Sequence, residues 1–313
     1  MLSLRSVAAI LSVCVAAVLA GCGSDDTDDG AGAPSGDTVE IRASFYPLAW
    51  MAEEVGGDFV NVESLTPPGA EPHDLELTPS DVAAVADADM VVYLSGFQPA
   101  VDDAVAEAND GAAFDAAGPA NLDLTYTPIE EGQENLEEAG MVDPHFWLDP
   151  TRFVAVAEAF TEQLSELDPD HADDFEANLA NLTEELMTLD ADLEAGLAEC
   201  SSRDLVTSHN AFGYFARRYD LMQLGITGLT PEEEPSPADL ATVTQFVVDN
   251  EVKTIYFETL VSPAIAETVA AEAGAQTDVL DPLEGLSDSS QGSDFLEVMA
   301  SNLDNLRNGQ PCS

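Results

Sequence analysis

From Val39 onward, apolar and polar positions alternate between two periods. Val39-Glu40-Ile41-Arg42-Ala43-Ser44-Phe45 is apolar at every second position, the mark of a strand, and Pro47 to Val55 carries helical spacing behind it. Phe59 through Leu65 predicts a second strand, and Thr78 opens a helix as its cap. Met90 to Leu94 is an apolar run of the buried-strand kind, followed by a helix from Pro99 to Ala108. Strands that alternate with helices predict a parallel sheet covered by helices.

Helical spacing returns over Thr151 to Leu167, and then a longer stripe begins. Phe175, Leu179, Leu182, Leu186, Leu189, Leu193 and Leu197 recur at steps of four and three on one helix face. With Asp168 as cap and Pro169 in the first position, this helix reaches Ala198. At the standard rise it spans roughly 45 Å, enough to run along two lobes. Alternation then resumes, with strands expected at Leu205–Thr207, Met222–Ile226, Thr254–Glu258 and Thr277–Asp281, and, after an acidic, proline-rich turn through Pro237, a helix to Val248. The expected fold is α/β: two lobes, each a parallel β-sheet flanked by helices, joined by one long rigid backbone helix. The expected boundaries are 39–167 for the first lobe, 168–199 for the linking helix and 200–313 for the second lobe. Between Pro128 and Val142 lie five glutamates and no regular period, which predicts a mobile surface loop.

Charge narrows the partners. Eight Lys and Arg stand against 61 Asp and Glu, a formal net charge of −53, and Lys253 is the sole lysine. Nucleic acid and anionic membrane surfaces would repel such a chain. A solvated acidic surface suited to concentrated salt accounts for the excess.

The N-terminus reads as a targeting segment. Arg5 precedes an apolar run from Val7 to Ala20, too short to span a bilayer. Leu19-Ala20-Gly21-Cys22 resembles the lipobox of bacterial lipoproteins, which implies a signal peptide over 1–21 and a lipid on Cys22. Residues 22–38 read as a flexible acidic tether. The expected location is extracytoplasmic, anchored by lipid to the cell membrane. Cys14 leaves with the signal and Cys22 takes the lipid, so Cys200 and Cys312 remain. Outside the cytoplasm such a pair is expected to form a disulfide.

The candidate chemistry lies in histidines and carboxylates. His145 sits in Asp143-Pro144-His145-Phe146-Trp147-Leu148-Asp149-Pro150, where the prolines stiffen the backbone and aim the imidazole in advance. His209, Glu258 and Asp281 each follow a predicted strand, where ligands bind in open parallel sheets. His73 follows the turn-rich Thr66–Pro72, whereas His171 lies in an exposed acidic helix start and reads as a bystander. Three imidazoles with one carboxylate, Asp281, make a tetrahedral set that zinc favours. Glu258 is placed behind them, orienting an imidazole. No His-Glu-x-x-His stretch occurs, and adjacent Ser208 and His209 do not make a nucleophile–base pair, so the chain is not read as an enzyme.

Several spaced motifs together resemble the zinc/manganese substrate-binding proteins of bacterial ABC transporters. They are Ser44–Leu48, Pro67–Asp74, Asp143–Pro150, Thr207–Tyr214, Phe257–Pro263 and Leu280–Leu283. The resemblance implies metal held between the lobes by His73, His145, His209 and Asp281, and delivery to an ABC-type permease with its ATPase by a monomeric receptor. Histidine rather than a carboxylate at 209 points to Zn(II), with Mn(II) or Fe(II) the alternative. Many zinc members carry a His-rich loop where this chain has the glutamate-rich one. A secreted zinc hydrolase and a surface adhesin are the readings from other classes.

Overall fold

The computed structural model describes residues 38–108, 112–127, 140–310 and 312. The signal peptide, Cys22, the tether up to residue 37 and residues 128–139 of the acidic loop lie outside them.

Two four-stranded parallel sheets organise the chain. The first contains β1 (Val39–Ala43), β2 (Val60–Ser64), β3 (Met90–Tyr93) and β4 (Ala112–Asp115), in the order β2-β1-β3-β4. The second contains β5 (Asp204–Thr207), β6 (Met222–Gly225), β7 (Thr254–Phe257) and β8 (Gln276–Val279), in the equivalent order β6-β5-β7-β8. Strand order reverses between β1 and β3 and between β5 and β7, and the crevice beyond those carboxyl ends is where ligands settle. β4 escaped the sequence reading because Ala112-Ala113-Phe114-Asp115 carries little apolar pattern.

Helices α1 (Tyr46–Gly56), α2 (Pro79–Asp87), α3 (Pro99–Glu107), α4 (Ala117–Ala120) and α5 (Pro150–Leu167) belong to the first half. Thr78 does cap α2: its hydroxyl accepts from the Asp81 N–H while the Asp81 carboxylate accepts from the Thr78 N–H. The second half adds α7 (Gly213–Arg218), α8 (Pro237–Asp249), α9 (Ala264–Ala273) and α10 (Phe295–Gly309). The adhering helix between them, α6, spans Ala172–Leu197 over 26 residues, preceded by a 3₁₀ turn at Pro169–His171. Asp168 does not cap it as expected; its carboxylate instead accepts from the His171 ring at 2.6 Å. Phe175, Leu182, Leu186, Leu193 and Leu197 bury the stripe. This face packs on α1 and α5 from the first half and on α10 from the second.

One apolar cluster therefore runs through both halves, from Ile41 and Phe45 through Trp147, Phe153 and Leu186 to Phe295 and Leu306. Smaller clusters lie under α2 and α3 and under α8 and α9. Cys200 and Cys312 are joined in a disulfide across 112 positions, tying the chain after α10 to the entry of the second sheet. Among the described residues no helix is long and apolar enough to cross a membrane.

Candidate metal centre

Loops at the carboxyl ends of the two sheets meet, and three imidazoles meet with them. His73 sits in the turn after β2. Its N–H donates to Glu71 Oε1 at 3.1 Å, and its ring stands 4.6 Å, edge to face, from Phe97. Gln98 braces that turn by donating to the Pro72 carbonyl and the Thr66 hydroxyl. His145 immediately precedes a 3₁₀ turn at Phe146–Leu148, where the flanking prolines keep the segment short. Asp143 Oδ1 accepts from both the His145 backbone N–H at 2.9 Å and Nδ1 at 2.8 Å. His209 lies two residues beyond β5, and its Nδ1 donates to Glu258 Oε1 at 2.8 Å; Ser208 Oγ donates to the same oxygen at 2.6 Å.

The fourth member is Glu284. Its Oε1 lies 3.0 Å from His145 Nε2, 3.2 Å from His209 Nε2 and 3.4 Å from His73 Nε2. His145, His209 and Glu284 are buried and His73 nearly so. These four form a group whose ligand atoms could hold a metal ion.

Asp281, expected in that role, is not among them. Its Oδ2 accepts from Thr259 Oγ1 at 2.7 Å and its Oδ1 from the Leu283 N–H at 2.8 Å. Asn302 grips its backbone on both sides. Asp281 is thus the brace of a turn in which Leu283 takes a left-handed backbone, φ 59°, and that reversal throws Glu284 into the cleft. The expected motif stopped at Leu283, one residue short. An acid followed by Gly285 just past a strand-end turn was the available signal. Glu258 stands where it was expected, behind His209, while Asp143 plays the same part for His145 and went unassigned. His171 is remote from the group and stacks on Phe59 with ring centres 4.0 Å apart.

Electrostatics follow from burial against pairing. Burial pulls His145 and His209 down, but the carboxylates facing both nitrogens outweigh it: His145 ends above its ordinary value and His209 well above. For His73, burial wins over the single contact with Glu284, and its pKa is lowered. Burial pushes Glu284 up, yet the charges of His209 and His73 and the ring hydrogen bonds hold it well below the usual carboxylate range. Burial, then the Glu284 charge, pushes Glu71 up to about 10. Burial also raises Asp281 to about 6. Nearby, Glu232 of the β6–α8 loop is raised by burial and by its hydrogen bond with Asp74, the neighbour of His73.

Nδ1–H groups held by Asp143 and Glu258 leave Nε2 of each ring as the atom facing the centre, the tautomer a metal-ligating imidazole needs. Contacts across the two halves keep the donors together: Trp147 Nε1 donates to the Pro282 carbonyl at 2.7 Å, and the Gly69 N–H to the Leu286 carbonyl at 2.9 Å.

Residues 41–309 match the family described as zinc-uptake complex component A, periplasmic. The high-affinity zinc uptake system protein ZnuA of Bacillus subtilis is 34% identical over 297 residues, covering 93% of each chain. The zinc-binding lipoprotein AdcA of Streptococcus pneumoniae is 36% identical over 97% of this chain, which spans 61% of that longer protein. The crystal structure of the Zn(II)-bound ZnuA-like domain of AdcA superposes with a TM-score of 0.72 at 36% identity, covering 87% of this chain and 99% of that domain. With its family match spanning both sheets and the helix between them, this chain belongs to the periplasmic zinc-uptake component A family.

Proposed function

We propose that this protein is an extracytoplasmic receptor that captures Zn(II) between its two halves and hands it to an ABC-type permease driven by its ATPase. The observation that carries the reading is the convergence of three imidazole Nε2 atoms on one carboxylate oxygen, at 3.0, 3.2 and 3.4 Å. Four donors arranged tetrahedrally about zinc, each roughly 2.0–2.1 Å from it, stand about 3.3–3.4 Å apart. The three distances from Glu284 Oε1 to the imidazoles are therefore close to that spacing, and all four ligand atoms lie within 4.8 Å of one another. Three nitrogens and one oxygen favour zinc over manganese, which takes more oxygen donors.

The arrangement also supplies a route to release. His73 and His145 precede α6 in the chain, whereas His209 and Glu284 follow it. Separating the two halves would remove two of four donors at once, so an opening of the cleft drops affinity without any chemistry on the metal. No group in the site is needed for bond making or breaking, and binding with release is the whole task. We further propose Cys22 as the lipidated anchor and a monomer as the working form; the lipobox supports the first, and a donor set complete within one chain supports the second.

The test is metal analysis of protein purified without chelator, followed by competition titration of the apo-protein with zinc and manganese. One equivalent of zinc held with preference over manganese is expected. Preference for manganese would overturn the assignment of the cargo.

A further inference from the structure

We propose that Glu71, Glu258 and Glu284 form a second cation site, built only of carboxylate oxygens, which abuts the zinc site and shares Glu284 with it as a bridge. An oxygen from each of the three carboxylates lies within 4.8 Å of the others. All three are tied through Oε1: Glu71 to the His73 N–H, Glu258 to Ser208 and His209, and Glu284 to the three imidazoles. The oxygen left over in each, Oε2, is buried and has no hydrogen-bond partner. Glu258 is 2% exposed and Glu284 fully buried.

A buried polar atom without a partner is destabilising, and a carboxylate oxygen more so than a neutral one. Three such oxygens in one place call for a positive group. Arginine does not supply it, because the arginine ion pairs among the described residues go to Glu40, Glu63, Asp123, Asp149 and Asp190. Zinc in the neighbouring site does not supply enough. Held by the three Nε2 atoms and Glu284 Oε1, it leaves the buried Oε2 atoms of Glu71, Glu258 and Glu284 without a partner.

The donor set names the class of ion. Oxygen donors without nitrogen or sulfur suit hard divalent cations such as Mn²⁺, Mg²⁺ or Ca²⁺, and disfavour a second zinc. Three donors no more than 4.8 Å apart hold a central ion at about 2.8 Å or closer. A small inward movement reaches the bonding range, with water completing the shell. Sharing Glu284 makes the second ion a regulator of the first, since it draws charge from the carboxylate that zinc also uses.

The proposal takes the zinc site as given, and the experiment separates the two. Apo-protein is equilibrated with one equivalent of Zn²⁺ and excess Mn²⁺ in about 1 M KCl, so that surface carboxylates are screened. Bound metals are then counted by elemental analysis, and Mn²⁺ by its paramagnetic resonance. Wild type is expected to hold one zinc and one manganese per chain. Glu71→Gln should keep the zinc, which also reports an intact fold, and lose the manganese; Glu71→Asp should hold manganese at least tenfold more weakly than wild type. Zinc alone in the wild type, or manganese retained unchanged by Glu71→Gln, overturns the second site. Manganese bound in a Glu71-dependent way without zinc would uphold it and overturn the zinc reading instead.

Discussion

At the scale of single residues, Glu284 and Asp281 divide between them what the sequence assigned to one acid. Glu284 Oε1 faces three imidazoles, while the Asp281 carboxylate is occupied by Thr259 and the Leu283 N–H. Glu284→Gln should therefore weaken zinc binding by an order of magnitude or more in competition titration. Asp281→Asn keeps an acceptor for the turn and should change affinity only a few-fold; the reverse ranking would place Asp281 in the shell. Protons compete for the same atoms. Because carboxylates raise His145 and His209 above their ordinary value, near 6.5, the metal-free fold is stabilised by their charged forms below that value. That contribution is lost as pH rises through the raised values, whereas zinc needs the neutral rings. The increase in Tm produced by zinc should accordingly grow from pH 6 to pH 8 and shrink steeply below 6. An increment independent of pH across that range would remove these imidazoles from the site.

At the scale of elements, short stiff segments aim the donors and one covalent tie holds the second half closed. Gly213 opens α7 against Asp143, and a Cβ there would run into Oδ2 of the carboxylate whose Oδ1 positions His145. The glycine is thus a packing requirement of the metal centre rather than of the helix. The Cys200–Cys312 disulfide closes a loop of 112 positions. Chain-entropy reasoning gives about 4–5 kcal/mol for a loop of that size. Replacing both cysteines by serine should lower Tm by roughly 10 °C or more in calorimetry at fixed pH and salt. Zinc affinity should stay within a few-fold, since the bridge lies away from the histidines. An unchanged Tm would show that the tie contributes nothing to the folded state.

At the scale of the whole molecule, a formal charge of −53 sets the conditions under which the fold is stable. Four arginines are committed to joints between elements. Arg152 and Arg217 both reach Asp123, Arg218 pairs with Asp190 on α6, and Arg203 donates to the Leu197 and Ala198 carbonyls at the end of α6. Salt weakens the exposed pairs among these, each worth about 1 kcal/mol or less, and weakens the much more numerous carboxylate repulsions at the same time. Repulsion dominates, so Tm should climb between dilute buffer and molar KCl in a thermal melt. A Tm that falls would mean the arginine joints outweigh the surface charge.

Local pattern was enough for seven of the eight described strands, α6 and the three converging histidines, because each rests on nearby residues: alternation of apolar positions, an i, i+3, i+4 stripe, and prolines that stiffen the backbone around His145. The disulfide was legible too, since exported context left only Cys200 and Cys312 to pair. Glu284, Glu71 and Asp143 were not legible, because their roles depend on what stands opposite them. Glu284 enters the cleft through the left-handed turn at Leu283, which is held by Asp281, Thr259 and Asn302 from three separate segments. Glu71 is one acid among 61 until the fold buries it beside Glu258 and Glu284. Which carboxylate meets the imidazoles is a matter of long-range packing and desolvation, and only the tertiary structure decides it.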